Sequence, residues 1–155
     1  MRHAERTDPS NGTLVFVYGS MRTGQRLQQV LARATPLGLV RTAPVYNLFD
    51  LEAFPAMTEA GHQAITGELW LVDKGTLMVI DAIEGHPEFF VRRDIELADG
   101  RTALGWLLHP HRRDWATRRI ESGDWCRHRG LGPKATLPDP SRTSSSICSA
   151  ELPSP

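Results

Sequence analysis

The segment Tyr18–Met21 (Tyr-Gly-Ser-Met) is the first place in the chain where residue types and spacing suggest chemistry. It follows the apolar, β-branched run Thr13–Tyr18 and precedes Gln25–Arg33, whose apolar residues have helical spacing. A turn between a strand and a helix leaves backbone N–H groups without acceptors, and these favour an anion such as a carboxylate. Gly19 would let the backbone approach a ligand closely, and Ser20 could add a hydroxyl. A plain turn, with the tyrosine packed in the core, fits the same residues.

Glu84 is the second residue whose position indicates chemistry. Leu77, Ile80 and Glu84 are spaced three and four apart, so they share one face of a predicted helix. A carboxyl group turned toward the core has a raised pKa and can act as a general base near neutral pH. Two alternatives stay open: Glu84 reaches water at the edge of that face, or it pairs with Arg92 or Arg93.

Asp81 lies one helical turn before Glu84. Its carboxylate could orient Glu84, or it could hydrogen-bond only to nearby backbone. Ser20 is not set in the GxSxG pattern of a nucleophilic serine. Cys126 and Cys148, the two cysteines of the chain, form no CxxC motif. The sequence therefore predicts neither a disulfide nor a metal site, and a reducing compartment fits.

The composition limits the classes of partner. The chain has 155 residues, 18 basic and 18 acidic, with no formal net charge. Because the arginines are scattered, we expect no nucleic acid and no anionic membrane as partner. Their excess over lysine is typical of a high-GC bacterial genome. Residues 1–12 are polar and unlike a secretory signal, and no apolar run approaches a membrane helix, so we expect a cytoplasmic protein.

The elements that would position these groups are mostly strands. A helix is predicted over Lys74–Glu84, ended by Gly85 and by Pro87. Asp99-Gly100 indicates a hairpin turn, and His111–Ile120 is either a helix or irregular. Besides the strand before the Tyr-Gly-Ser-Met segment, strands are predicted over Leu37–Thr42, Val45–Leu51, Ala64–Val72, Phe89–Leu97 and Arg101–His109.

The predicted organisation is one domain with two flanking segments. Residues 1–12 read as a flexible arm, residues 13–130 as the domain, and residues 131–155, rich in Pro, Ser and Thr, as a disordered tail. The domain is expected to be mixed α/β (α+β), with about six strands and two or three helices around a small sheet curled toward a barrel. The hairpins argue against an all-parallel sheet.

Three motifs in order resemble the gamma-glutamylcyclotransferase-like superfamily. They are LVFVYGSMRTG, ITGELWLVD and IDAIEGHPEFFVRR, and SGDW near Trp125 is similar to a late motif of bacterial members. The resemblance spans about Leu14 to Leu108. It implies a small mixed α/β barrel, which agrees with the fold expected from the residues. The short chain and the EGxP form resemble the branch that acts on gamma-glutamyl amines or in antibiotic biosynthesis.

The resemblance also implies roles for individual residues. Glu84 would be the catalytic general acid/base, moving a proton from the substrate's α-amino group, which attacks the γ-carbonyl and releases 5-oxoproline and a free amine. No metal or organic cofactor is required, and the partner is a small-molecule gamma-glutamyl substrate. The residues that would bind this substrate are Tyr18, Gly19, Ser20, Met21 and Arg92.

Three positions depart from the family pattern. Met21 stands for a leucine, Leu27 for an asparagine, and Phe90 for a tyrosine. The last two changes favour an alternative class, a non-catalytic binding module that retains the glutamyl pocket. A further class is an interaction domain that uses an exposed region at Trp125. The leaving amine and the oligomeric state are not predicted.

Overall fold

A curled six-stranded sheet forms the centre of the computed structural model, which describes residues 7–8, 12–25 and 27–130. The strands are β1 Thr7–Asp8, β2 Gly12–Val17, β3 Thr35–Arg41, β4 Tyr46–Asp50, β5 Pro55–Glu59, β6 Thr66–Val72, β7 Phe90–Glu96 and β8 Thr102–Leu108. The α-helices are α1 Lys74–Glu84 and α2 Trp125–His128, and two 3-10 helices span Gln28–Leu31 and Pro110–Trp115. The predicted tail, and the predicted arm apart from Thr7, Asp8 and Gly12, lie outside the described residues.

The large sheet has the order β3-β6-β2-β8-β7, with β1 paired to β2, while β4 and β5 form a separate two-stranded sheet. Within the large sheet, β2 and β8 run parallel and the other pairs are antiparallel. Its two edges meet at one end, where Thr42 after β3 bridges Leu97 after β7. The prediction of a small mixed sheet curled toward a barrel is therefore confirmed.

Strand β2 is buried on both faces. Val15 and Val17 belong to the core beneath α1, whereas Phe16 and Tyr18 belong to a second core that β4 and β5 help to cover. Side chains alternate between the faces of a strand, so one strand contributes to both cores. This burial explains why β2 reads as an unbroken apolar run, and it fixes the position from which the Tyr-Gly-Ser-Met segment leaves the sheet.

Helix α1 has the predicted bounds. Asp73 caps its N-terminus by accepting a hydrogen bond from the Thr76 N–H at 2.7 Å. Gly85 ends it in the left-handed conformation, with a φ of 69°, which glycine adopts without steric cost. The buried Ile80 turns toward the sheet, and Glu84 is the last helical residue. None of the helices among residues 12–25 and 27–130 is long and apolar enough to cross a membrane.

The structure corrects three expectations. The helix expected over Gln25–Arg33 is only the 3-10 helix Gln28–Leu31, because tight turns precede it and β3 begins soon after. Strand β5 was not predicted, since it opens on Pro55, a residue tolerated mainly at strand starts and edges. Trp125 is only 4% exposed, so the expectation of an exposed Trp125 region is wrong: this side chain belongs to the core.

Candidate active site

A cavity of about 300 Å³ lies between the loop after β2 and the C-terminal end of α1. All four residues of the Tyr-Gly-Ser-Met segment line it, together with Glu84. Leu27 and Phe90, two of the departures from the family pattern, line the same cavity, whereas Arg92 does not. The fold thus brings together five of the six predicted site residues, from segments far apart in the sequence.

The loop after β2, which lines this cavity, has backbone donors that are not used by other parts of the described chain. Its later N–H groups are used internally: Arg22 donates to the Gly19 carbonyl at 3.0 Å, and Leu27 donates to the Ser20 carbonyl at 2.9 Å. In contrast, the N–H groups of Gly19, Ser20 and Met21 donate to no acceptor within the described part of the chain. Successive N–H groups of this kind form a site for an anion. They belong to turns, so the dipole of a regular helix is not needed for this site.

Gly19 is required by a close approach of protein to protein. A Cβ atom at this position would lie 2.8 Å from Cγ and 2.9 Å from Cδ of Pro55, inside van der Waals contact. The expected reason for the glycine was approach to a ligand. The structure adds a second reason, which is that the first residue of β5 packs directly against the loop.

Buried charges hold the loop from behind. The Glu68 carboxylate, 3% exposed, accepts hydrogen bonds from the Thr23 N–H at 2.9 Å, from the Thr23 hydroxyl at 3.0 Å and from the Trp70 indole at 3.2 Å. The fully buried Arg22 guanidinium lies 3.6 Å from Glu68 and donates to Asp124 at 2.8 Å. We call Arg22, Glu68 and Asp124 the anchor cluster.

The sequence contains a signal for the anchor cluster that spacing alone did not reveal. Glu68 is the first of the two acids in the ITGELWLVD motif, and Asp124 is the acid of SGDW. Neither motif carries a candidate catalytic residue, yet each supplies an acid that pairs with Arg22. Arg22 directly follows the Tyr-Gly-Ser-Met segment. The acids of the two motifs position the loop.

The Tyr18 side chain lies in the core beside the cavity. Its hydroxyl donates to the Trp106 carbonyl at 2.7 Å and accepts from the Met57 N–H at 3.1 Å. Burial, and then the charge of Glu84, raise the pKa of Tyr18, with the Met57 N–H opposing this. The hydroxyl proton is thus committed to Trp106, and Tyr18 holds the end of β2 in place.

Glu84 lies at the other end of the cavity. Its side chain is half-buried, and no described residue forms a hydrogen bond or an ion pair with its carboxyl group. Burial, and then the negative charge of Asp81, raise the pKa of Glu84 to about 7. A carboxyl group with this pKa exists in both protonation states near neutral pH, as proton transfer in both directions requires.

Asp81 is held by two partners. Its Oδ1 accepts from the Trp106 indole at 2.9 Å, and its Oδ2 pairs with Nη1 of Arg92 at 2.5 Å. Arg92 is therefore paired with Asp81. Among the described residues, neither Arg92 nor Arg93 pairs with Glu84. Trp106, which sequence reasoning missed, links Tyr18 to Asp81 through its carbonyl and its indole.

The described residues include no group of three or more His, Cys, Asp or Glu side chains that could hold a metal ion. Cys126 is buried, and Cys148 lies outside the described residues. Within the described lining of the cavity, Glu84 is the one residue with a carboxyl side chain.

The chain is similar to known proteins in sequence and in fold. A family model described as "Gamma-glutamyl cyclotransferase, AIG2-like" matches residues 15–127. A Vibrio cholerae protein provisionally named a gamma-glutamylcyclotransferase is 40% identical over 113 residues, which cover 73% of this chain and 95% of that protein. The gamma-glutamylaminecyclotransferase of Bos taurus is 32% identical over 104 residues, 59% of this chain and 61% of that protein. A crystal structure of a uropathogenic Escherichia coli protein shares the fold, with a TM-score of 0.66 and 24% identity over 76% of this chain and 94% of that one.

Proposed function

The chain belongs to the gamma-glutamyl cyclotransferase, AIG2-like family, and from that premise we propose that it converts γ-glutamyl amides into 5-oxoproline and a free amine. The observation that carries this proposal is the position of Glu84. Its carboxyl group has a pKa of about 7 and no partner among the described residues. Glu84 lines the same cavity as Gly19, Ser20 and Met21, whose N–H groups have no acceptor in the described chain.

The loop is the proposed binding site for the glutamyl part of the substrate. Its α-carboxylate would accept hydrogen bonds from two of the three N–H groups of Gly19, Ser20 and Met21. Hydrogen bonds to a charged acceptor are shorter and stronger than neutral ones. The anchor cluster keeps these donors in place before the substrate arrives, so little ordering is left to be done on binding.

Glu84 is the proposed general base and general acid. The neutral α-amino group attacks: its lone pair forms a bond to the γ-carbonyl carbon while the Glu84 carboxylate accepts one of its two protons. The resulting oxyanion collapses, the bond between that carbon and the leaving nitrogen breaks, and Glu84 returns the proton to this nitrogen. Nucleophile and electrophile belong to one molecule, so holding them in attack geometry supplies much of the rate.

The tetrahedral oxyanion needs hydrogen-bond donors where its charge develops. The proposed donor is the one N–H group of Gly19, Ser20 and Met21 that the α-carboxylate leaves free. Arg92 was predicted to bind substrate, and its pairing with Asp81 supports an indirect role instead. It offsets part of the negative charge that acts on Glu84, and so helps to set the pH range in which the base is active.

The test is a turnover assay with mass-spectrometric detection of 5-oxoproline. Incubation of the protein with a panel of γ-glutamyl amines and γ-glutamyl dipeptides is expected to yield 5-oxoproline and the matching amine. Glu84→Gln, which keeps the size of the side chain, should lower kcat/KM by about 10²–10⁴-fold. The matched control is Glu88→Gln, because Glu88 is exposed and lies just beyond α1.

Two outcomes would contradict the proposal. If no member of the panel yields 5-oxoproline, the chain is not a cyclotransferase for these substrates, and binding without turnover would support the non-catalytic module. If Glu84→Gln turns over as fast as the Glu88→Gln control, the enzyme uses another base.

A further inference from the structure

An aromatic surface lines the cavity between its two reactive ends. It consists of Phe54, Phe89 and Phe90, which we call the aromatic wall. The ring centroids of Phe89 and Phe90 are 5.1 Å apart, and the Phe54 ring lies 5.9 Å from Phe89 and 6.1 Å from Phe90 in edge-on contacts. These are the separations of rings that stabilise one another, so the wall is a packed unit.

The wall is fixed to both ends of the site. At the helix end, the Phe89 N–H donates to the carbonyl of Gly85, the residue after Glu84, at 2.8 Å. At the loop end, Phe54 directly precedes Pro55, whose ring lies against Gly19. A γ-glutamyl group held between the loop and Glu84 would therefore have this apolar surface beside it.

Among the described residues, the cavity lining offers no cation for a second ionic group on the substrate. Glu84 is the one charged side chain of that described lining. The guanidinium group of Arg92 is paired with Asp81. That of Arg112 lies over the rings of Phe89 and Trp115, at 4.6 and 5.1 Å, and is not part of the lining. Burying a carboxylate or an ammonium group without a partner is strongly unfavourable.

Two of the departures from the family pattern make the cavity surface less polar. Leu27 and Phe90 both line the cavity, and they replace the asparagine and the tyrosine of the pattern. Each replacement removes a polar group from the surface that would surround the leaving part of the substrate.

We infer that the aromatic wall binds the leaving amine and selects γ-glutamyl amides of uncharged apolar amines, above all aromatic ones, over amides of amino acids. This inference rests on the proposed function and narrows its substrate class. The leaving nitrogen receives the proton from Glu84, and its apolar substituent stays against the wall until the amine departs. An amino-acid leaving group would have to bury its carboxylate there without a cation.

The experiment compares two substrates that differ by one charge. They are the γ-glutamyl amides of benzylamine and of 4-(aminomethyl)benzoate, with the amide of butylamine as the non-aromatic reference. For the wild-type chain, kcat/KM for the benzylamide should exceed that for the carboxylated amide at least ~10-fold, as expected for an unpaired buried charge. The benzylamide should also exceed the butylamide by a few-fold.

Substitutions in the wall should change these ratios. Phe54→Arg places a cation beside the leaving group, and it should move the preference toward the carboxylated amide by about 10-fold. Phe54→Leu should reduce only the preference for benzylamide over butylamide, and it keeps the test available if the arginine variant does not fold. Met78→Arg is the matched control, because Met78 is 65% exposed on the outer side of α1, and it should leave both ratios unchanged.

The failure of this inference differs from the failure of the proposed function. If 5-oxoproline forms from the carboxylated amide as fast as from the benzylamide, the selectivity inferred here is wrong, while the cyclotransferase function stands. Unchanged ratios in both Phe54 variants would also overturn it. If no amide yields 5-oxoproline, both the function and the substrate class are wrong.

Discussion

The two ends of the cavity differ in where their charged side chains lie and in whether these side chains are paired. At the loop end, the charges of Arg22, Glu68 and Asp124 are paired behind the loop, and none of these three side chains is among the residues that line the cavity. At the helix end, Glu84 lines the cavity itself and has no ion-pair partner in the described part of the chain. The first arrangement builds a rigid binding surface, and the second leaves a carboxyl group able to change its protonation state.

Pairing separates the structural charges from the reactive one. Even next to Glu84, the carboxylate of Asp81 is fully occupied by Trp106 and Arg92. A partner for Glu84 would lower its pKa and hold it in the charged form. The site therefore depends on the pairing of Asp81, and also on the lack of a partner for Glu84 among the described residues.

The largest expected effect on stability is at the loop end. Glu68→Gln removes one charge from the anchor cluster and leaves the buried Arg22 less compensated, which should lower the free energy of unfolding by about 3 kcal/mol. Urea denaturation would measure this, with Glu59→Gln as the control because Glu59 is exposed at the end of β5. An equal free energy of unfolding for both variants would show that charge does not hold the loop.

A smaller effect, of opposite sign, is expected for Glu84→Gln. The pKa of Glu84 rises from 4.5 to about 7 in the folded chain, so the folded state binds the proton more tightly than the unfolded state. Its contribution is fully present below pH ~4.5 and is lost as the pH rises toward 7. After allowance for solvent at the cavity mouth, the variant should gain about 2 kcal/mol relative to wild type between pH 5 and pH 8.

Chemical denaturation of both proteins at the two pH values would measure this gain. Glu88→Gln again serves as the control, and its stability should follow the wild type at both pH values. A stability difference between Glu84→Gln and wild type that does not change with pH would mean that Glu84 titrates at an ordinary pKa.

The smallest effect concerns the pH dependence of turnover. Asp81→Asn removes the charge that raises the pKa of Glu84, so the acidic limb of the kcat/KM profile should move to lower pH. Asp99→Asn is the matched control, since Asp99 is also paired with an arginine, Arg101, but lies in the exposed hairpin. If both variants keep the wild-type profile, Asp81 has only a structural role.

Much of the fold could be predicted from the sequence because its signals are local. The spacing of Leu77, Ile80 and Glu84, followed by Gly85, indicated α1 with its correct ends. The apolar run before Gly19 indicated β2. Strand β5 and the 3-10 helix Gln28–Leu31 could not be predicted in this way, because their conformations depend on packing against the loop and the core. A five-residue strand that begins with proline carries little signal of its own.

The features of the candidate site also fall into two groups: those indicated by local sequence and those that depend on tertiary packing. Glu84 and the Tyr-Gly-Ser-Met segment were identified from residue types, helical spacing and the family motifs. The pairing of Arg92 with Asp81 and the role of Trp106 could not be predicted, since both depend on the register of β7 against β8 and on the place where α1 crosses them. The aromatic wall was missed for a similar reason: Phe54 and Phe89 meet only in the folded chain.

The contact between Gly19 and Pro55 has a consequence for how relatives of this chain change over time. A methyl group at position 19 has no room while the proline ring is present at position 55. We therefore expect the two positions to be constrained together, although Gly19 lies in the loop after β2 and Pro55 begins β5. A lineage that replaced the glycine would first have to lose the proline, and on the way it would pass through a loop that had lost one of its supports.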